Sequence, residues 1–220
     1  RPPVRAVARD MSMTIDYAKA RETMVEQQVR PWDVFEPRVL ETLARLPRER
    51  FMAELHRALA YSDLALPIGH GESMMKPVLE GRVLQALSIG AGEDVLEIGT
   101  GSGYLSACLG SLARDVVSLE LHADLAQTAR DRLQAQGIGN VRIDTADVFG
   151  WESDRRFDAI CVGGAVATLP SRFLQWLRPG GRLFVIHGRA PAMEAALVRH
   201  ADNAAGFQVE SLFETELPYL

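Results

Sequence analysis

Residues 95–104 read V-L-E-I-G-T-G-S-G-Y, and the fold follows from this stretch. An apolar run stops at Gly99, glycines alternate at Gly99, Gly101 and Gly103, and an amphipathic segment covers residues 102–112. That order predicts a buried strand, a tight turn and the start of a helix. Glycines in such a turn lack Cβ atoms, so the backbone can take left-handed dihedrals and a ligand can approach its N–H groups closely. A dinucleotide fingerprint, G-x-G-x-x-G, is excluded by spacing: its last position falls on Tyr104 when counted from Gly99, and on Ser106 when counted from Gly101. A phosphate loop is excluded because no G-K-[ST] follows. What remains is an acid, Glu97, just ahead of the glycines in the pattern E-x-G-x-G-x-G.

Downstream of the turn, strand-like and helix-like segments alternate. Strands are expected over residues 95–98, 116–121, 141–145, 157–162 and 182–186, with helices over 102–112, 123–136 and 171–177. The pattern predicts an α/β fold, a Rossmann-like, doubly wound, mostly parallel sheet with helices on both faces. Residues 193–200 read as a last helical segment, and residues 207–217 as antiparallel edge strands. Upstream, helical patterns cover residues 15–29, ended by Pro31, and residues 37–46, with Pro37 at a first-turn position. A short piece follows at 48–51. Residues 64–77, L-A-L-P-I-G-H-G-E-S-M-M-K-P, carry two prolines and two glycines and read as a long irregular loop, a functional candidate. A helix over 78–88 then ends near Gly90 and Gly92. The expected division is a flexible extension over 1–12, an N-terminal helical lobe with the loop over 13–92, and the α/β core over 93–220.

Composition sets the class. A chain of 220 residues with 47% hydrophobic content can bury one sizeable core. A net charge of -5, with basic residues scattered among acids, argues against a nucleic-acid partner. The uncharged stretch over 159–171 is too short to span a bilayer and contains Gly163, Gly164 and Pro170, so no membrane partner is expected. Two cysteines, Cys108 and Cys161, are too few for a disulfide framework and suit a reduced compartment. The Arg- and Pro-containing start lacks the apolar centre of a signal peptide, and the expectation is a cytoplasmic protein. None of the five histidines has metal-ligand spacing, and no G-x-S-x-G elbow is present.

In a doubly wound sheet, ligands sit beyond the carboxyl ends of the strands. Three such places carry useful groups: the glycine turn, Glu120 about twenty positions further on, and Asp147 after the third strand. An acid at Glu120 suits a ribose, and Asp147 suits an adenine amine flanked by Val148 or Phe149. The alternatives are a plain tight turn, a solvated glutamate and an aspartate capping its own turn. His70 is the one histidine in the irregular loop that is retained as a candidate.

The E-x-G-x-G-x-G pattern resembles motif I of the class I S-adenosylmethionine-dependent methyltransferases. Over nearly the whole length after Met13 the chain resembles the protein-L-isoaspartate O-methyltransferase family. The matching segments are M-V-E-Q-Q-V-R at 24–30, V-L-E-T-L-A-R-L-P-R-E-R-F at 39–51, A-Y at 60–61, A-L-P-I-G-H-G at 65–71, the stretch 95–104, F-D-A-I at 157–160 and L-R-P-G-G-R-L at 177–183. The resemblance implies S-adenosyl-L-methionine as cofactor. It places Glu97, Gly99, Thr100, Gly101, Ser102, Gly103, Tyr104, Glu120, Leu121, Asp147 and Val148 on that cofactor, with N–H groups at the helix start taking its carboxylate. It puts Ser73 and His70 at the catalytic side, with no metal. It also implies methylation of the free carboxylate of an isoaspartyl residue in damaged protein, a repair reaction. A carboxylate is already nucleophilic and a sulfonium already activated, so alignment and exclusion of water are what the protein supplies.

The departures fall on one side. Where the family usually continues I-G-x-G with Gln, Thr, Ile and Ser, this chain has Glu72, Ser73, Met74 and Met75. Where the family has a Val-Thr-Ala-Ala type of segment, it has Val162, Gly163, Gly164 and Ala165, and the family's Asp-Gly becomes Asp147-Val148. Met75 cannot donate a hydrogen bond, and Glu72 would repel an incoming carboxylate. Cofactor positions are largely kept and acceptor positions altered. The partner is then a protein or peptide carboxylate or a small-molecule acceptor, and a cofactor-binding protein without turnover is the third reading.

Overall fold

The structure, a computed structural model, describes residues 15–200 and 206–220. The extension expected over 1–12 lies outside them. Helix α1 (Tyr17–Met24) starts at Asp16, whose carboxylate accepts the Lys19 N–H at 3.1 Å. It continues through a π-helical turn (Val25–Val29) into a 3₁₀ turn (Arg30–Trp32), so the helix expected over 15–29 is present but changes pitch before Pro31 ends it. Helix α2 (Pro37–Arg45) begins on its proline, as its sequence requires. Two 3₁₀ segments follow, Arg48–Phe51 and Glu54–Leu59.

The segment read as an irregular loop is instead a β-hairpin. Strand β1 (Leu66–Gly69) pairs antiparallel with β2 (Glu72–Met74), and His70 and Gly71 make the turn. Gly69, His70 and Gly71 all have positive φ, which lets two very short strands reverse directly and leaves Pro67 on an edge where its missing N–H costs nothing. Helix α3 (Pro77–Leu87) follows; its reversal comes at Ser88, with φ +46°, ahead of the glycines expected to end it.

The large sheet has the order β5-β4-β3-β6-β7-β8-β9 among the described residues. Strands β3 (Asp94–Ile98), β4 (Asp115–Glu120), β5 (Val141–Thr145), β6 (Phe157–Val166) and β7 (Leu177–Arg189) run parallel. Strands β8 (Ala192–His200) and β9 (Phe207–Glu214) close the edge antiparallel. The helix expected over 193–200 is therefore corrected to a strand, while the tail is the edge strand its pattern predicted. Helix α4 (Tyr104–Leu112) starts two residues later than expected, with Gly103 as its N-cap. Helix α5 (Ala123–Ala135) fills the expected range, and α6 (Ser171–Gln175) is cut short because Leu177 already begins β7.

Strand alternation sorts the core into two layers. Val95 packs on the side of α4 and α5 with Tyr104, Ala126 and Ala129, while Leu96 and Ile98 face the opposite layer with Phe173 and Trp176. Helices cover both faces unequally: among the described residues α6 is the one helix on the second face, where Trp151 packs edge-on to Trp176 at 5.0 Å. The N-terminal lobe shares the first layer, since Met24, Val29 and Leu43 belong to the same cluster as Val95 and Tyr104. Phe51 meets Tyr104 edge-on at 5.5 Å, an aromatic pair worth about 0.5–1.5 kcal/mol beyond its buried area. Beside it, the fully buried Arg48 donates to Glu80 at 3.1 and 3.2 Å, to the Ala60 carbonyl at 3.0 Å and to the Met75 carbonyl at 2.5 Å. That one guanidinium ties the 3₁₀ segments, the end of the hairpin and α3 together.

Candidate active site

A cavity of about 340 Å³ opens at the carboxyl ends of β3, β4 and β6, where β3 has neighbours reached by crossovers in opposite directions. The glycine turn forms its base. Gly99, Gly101 and Gly103 have φ of +90°, +53° and +85°, values that other residues adopt only with strain. The N–H groups of Gly99 and Thr100 both point at the Leu119 carbonyl, at 2.9 and 3.2 Å, which pins the turn against β4. Gly103 has a packing reason too: a Cβ there would lie 3.0 Å from the Cβ of Ala129 on α5.

Glu120 closes the turn from the side. Its carboxylate accepts the Gly101 N–H at 2.8 Å and the His122 N–H at 3.0 Å, and it lines the cavity. A carboxylate offers about four acceptor positions, so two stay open to a ligand. The N–H groups expected to be free at the helix start are largely engaged: Gly101 gives its own to Glu120, Gly103 to the Thr100 carbonyl, and Tyr104 to Ser102 Oγ. Asp147 caps its own turn by accepting the Phe149 N–H at 2.9 Å and also lines the cavity. Leu121, Val148 and Phe149 supply apolar walls beside the two acids, and Thr100 and Ser102 complete the base. Acids alternating with apolar strips fit the hydroxyls, amine and flat ring of a nucleoside.

Three of the expected cofactor residues do not line the cavity. Glu97 sits on the α4 side of β3, by the same alternation that places Val95 there. It is fully buried and accepts hydrogen bonds from Ser106 and Ser118, each at 2.5 Å. With the Ser118 proton given to Glu97, Thr100 Oγ1 donates to Ser118 Oγ at 2.5 Å, so the chain of hydroxyls reaches the glycine turn. Glu97 Oε1 is buried without a partner, and burial pushes this acid up to about 7. Gly103 is used in helix packing, and the Tyr104 ring lies between Phe51 and the Arg48 guanidinium.

The hairpin is the roof. Ile68, Glu72, Ser73, Met74 and Met75 all face the cavity, and Ile68 Cδ1 comes within 3.1 Å of where a Gly101 Cβ would stand. His70 does not line it. At the hairpin tip its ring stacks on His122 at 3.9 Å and its Nε2 reaches the Asp124 carboxylate at 2.9 Å. His70 in turn holds the Asp124 carboxyl below its ordinary range. The catalytic placement expected of His70 is thus corrected to a rim contact that fastens the roof to the start of α5.

The opposite wall joins the glycine pair that the sequence singled out to a tail that it did not. Residues 163–164 form a bulge in β6, where the register against β7 shifts between Cys161 and Ala165. The tail folds onto this bulge: the Ala165 N–H donates to the Pro218 carbonyl at 2.7 Å and the Leu220 N–H to the Ala165 carbonyl at 2.9 Å. Tyr219 and Leu220 thereby line the cavity. A Cβ at Gly164 would meet Leu220 Cδ2 at 2.7 Å, and one at Gly163 would meet the Gly99 carbonyl oxygen at 2.8 Å. The glycine pair was a signal for this close approach, though not for what approaches. A second cavity, of about 670 Å³, lies beyond; Ser73, Met74, Met75 and Tyr219 face both. Ser73 therefore stands at the junction of the two.

A family model for protein-L-isoaspartate(D-aspartate) O-methyltransferase matches residues 19–212. The protein-L-isoaspartate O-methyltransferase of Brucella anthropi is 35% identical over 198 residues, covering 90% of this chain and 91% of that protein. Protein-L-isoaspartate O-methyltransferase 2 of Syntrophobacter fumaroxidans is 41% identical over 151 residues, covering 68% of this chain, and the match spans 61% of that relative's length. Among solved structures, a Plasmodium falciparum chain assigned as a protein-L-isoaspartate O-methyltransferase, in complex with S-adenosyl-L-homocysteine, superposes with a TM-score of 0.80 at 21% identity, covering 91% of this chain and 97% of that one.

Proposed function

The chain belongs to the protein-L-isoaspartate(D-aspartate) O-methyltransferase family, and from that premise we propose that it is an S-adenosyl-L-methionine-dependent enzyme that methylates carboxylates in damaged protein, as a cytoplasmic repair activity. The observation that carries this reading is the meeting of Glu120, the glycine turn and Ser73 around one cavity. The cofactor, when bound, supplies an activated methyl group.

The chain's own residues do the rest by binding and orientation. Glu120 keeps acceptor positions for ribose hydroxyls because the Gly101 and His122 amides fill only part of its capacity. Asp147 takes the adenine amine, with Val148, Phe149 and Leu121 against the ring. Ile68 and the rest of the hairpin keep water from the reacting atoms. Ser73 orients the acceptor carboxylate as it arrives from the second cavity. No general base is needed, because a carboxylate with an ordinary pKa of about 4 is ionised at neutral pH. The roles given to Glu97, Gly103 and Tyr104 become supporting ones, behind the turn.

A second reading, the same donor with another acceptor, is favoured by Glu72, which faces the cavity and opposes an approaching anion. Transfer of labelled methyl to an isoaspartyl peptide, to its aspartyl isomer and to a cell extract separates the two. The first reading expects base-labile label in the isoaspartyl peptide alone of the two. Label only in the extract would support the second, and no label anywhere, with S-adenosyl-L-methionine bound, would reject both.

A further inference from the structure

Behind the glycine turn, a separate cavity of about 720 Å³ lies between the N-terminal lobe and α5. Arg50 and Arg57 reach it from the 3₁₀ segments, and Arg132 from α5. Two acids, Glu49 and Asp131, share its wall. Glu49 faces Arg21 at 3.6 Å and accepts the Tyr61 hydroxyl, and Asp131 accepts the Gln127 amide at 2.9 Å.

The arginines are less well satisfied. Arg57 pairs with Glu54 through Nη1, yet its Nε is buried with no partner. Arg132 is partly buried and donates to the Ser102 carbonyl at 3.0 Å, and it enters no ion pair with a carboxylate among the described residues. Arg50 is exposed at the cavity and also enters no ion pair among the described residues. Burial, and then the like charge of Arg57, hold the Arg132 guanidinium below its ordinary range. Three guanidinium groups facing one cavity, two of them outside any ion pair among the described residues and one with a desolvated donor, are an arrangement that planar or tetrahedral oxyanions satisfy through paired N–H bonds.

We propose that this cavity binds a phosphate-type oxyanion, either free phosphate or the monoester of a small metabolite, through Arg50, Arg57 and Arg132. The site does not depend on methyl transfer. It is linked to the donor cavity by the Arg132 contact to Ser102.

The test is a titration of the full chain with inorganic phosphate and, separately, glycerol 3-phosphate, followed by ³¹P line broadening at constant ionic strength set with potassium chloride. Saturable broadening is expected, and the double variant Arg50→Gln, Arg57→Gln should weaken it about ten-fold, since charged bidentate bonds are lost. Tighter binding of glycerol 3-phosphate would identify the monoester as the source, and equal or weaker binding would identify free phosphate. Arg132 is left intact so that the turn stays supported. The single variant Arg50→Gln alters an exposed residue and serves if the double variant does not fold. Absence of saturable broadening with the unmodified protein, or equal binding by the variants, would overturn the proposal.

Discussion

The turn at residues 99–102 and the tail at residues 219–220 line one cavity, but different physics holds each in place. The turn is fixed by short-range bonds, most of them through buried groups: Gly99 and Thr100 to Leu119, Thr100 through Ser118 to Glu97, and the half-buried Gly101 to Glu120. The tail is laid on from afar, by two backbone bonds to Ala165 and a bond at 3.1 Å from the Tyr219 hydroxyl to the Gly188 carbonyl. Bonds desolvated on all sides resist opening, whereas an exposed strap opens locally at low cost. The proposed donor half is therefore the rigid half, and the proposed acceptor half the adaptable one. Residues can change on the second without disturbing the first.

The largest way to break this division is to remove the frame under both halves. Arg48→Ala leaves Glu80 buried and unpaired and takes donors from the Ala60 and Met75 carbonyls. A loss of about 3–5 kcal/mol is expected in denaturant unfolding. Replacing the pair together, Arg48→Met with Glu80→Leu, should recover most of it; failure to recover would place the value of the pair in geometry that apolar packing cannot replace.

Next is the buried support of the turn. Glu97 is pushed up to about 7 from an ordinary value near 4.5, so the folded state holds its proton more tightly than the unfolded chain does. Its favourable contribution is complete below about pH 4.5 and is lost progressively as pH rises through about 7, amounting to about 3 kcal/mol. Glu97→Gln keeps the hydrogen bonds without titrating. Thermal unfolding from pH 4.5 to 8 should show the wild type losing stability relative to this variant over that window, and parallel curves would contradict the assignment. At the cavity itself, Glu120→Ala should weaken S-adenosyl-L-homocysteine by about thirty-fold in calorimetry, or about 2 kcal/mol, because a charged acceptor is lost and two N–H groups are left open. The smallest effect belongs to the roof latch. His70 and Asp124 are exposed, so His70→Ala should leave stability nearly unchanged while raising the KM for the donor slightly more than the KM for the acceptor.

Much of this was legible in the sequence where local chemistry decides. The alternate glycines, the strands that follow and the acids at their ends could be placed because each depends on neighbours a few residues away. Residues 193–200 misled because β8 is buried on both faces: Ala195 and Leu197 face one layer and Ala196 and Val198 the other, which erases the two-residue period and leaves a run of good helix formers. The hairpin was hidden by strands of only four and three residues around a left-handed histidine. Glu97 was assigned to the ligand by its motif, although the alternation that makes Val95 a core residue on the α4 side turns Glu97 the same way. Tyr219 and Leu220 were invisible since nothing within their own segment indicates that it folds back onto the bulge at Gly163 and Gly164.

The division between the two halves is tested most directly by amide hydrogen exchange with and without S-adenosyl-L-homocysteine. Slowed exchange is predicted over residues 99–103, 120–122 and 147–149, with little change over residues 215–220. Slowing at residues 215–220 equal to that at the turn, or none at the turn, would contradict the account.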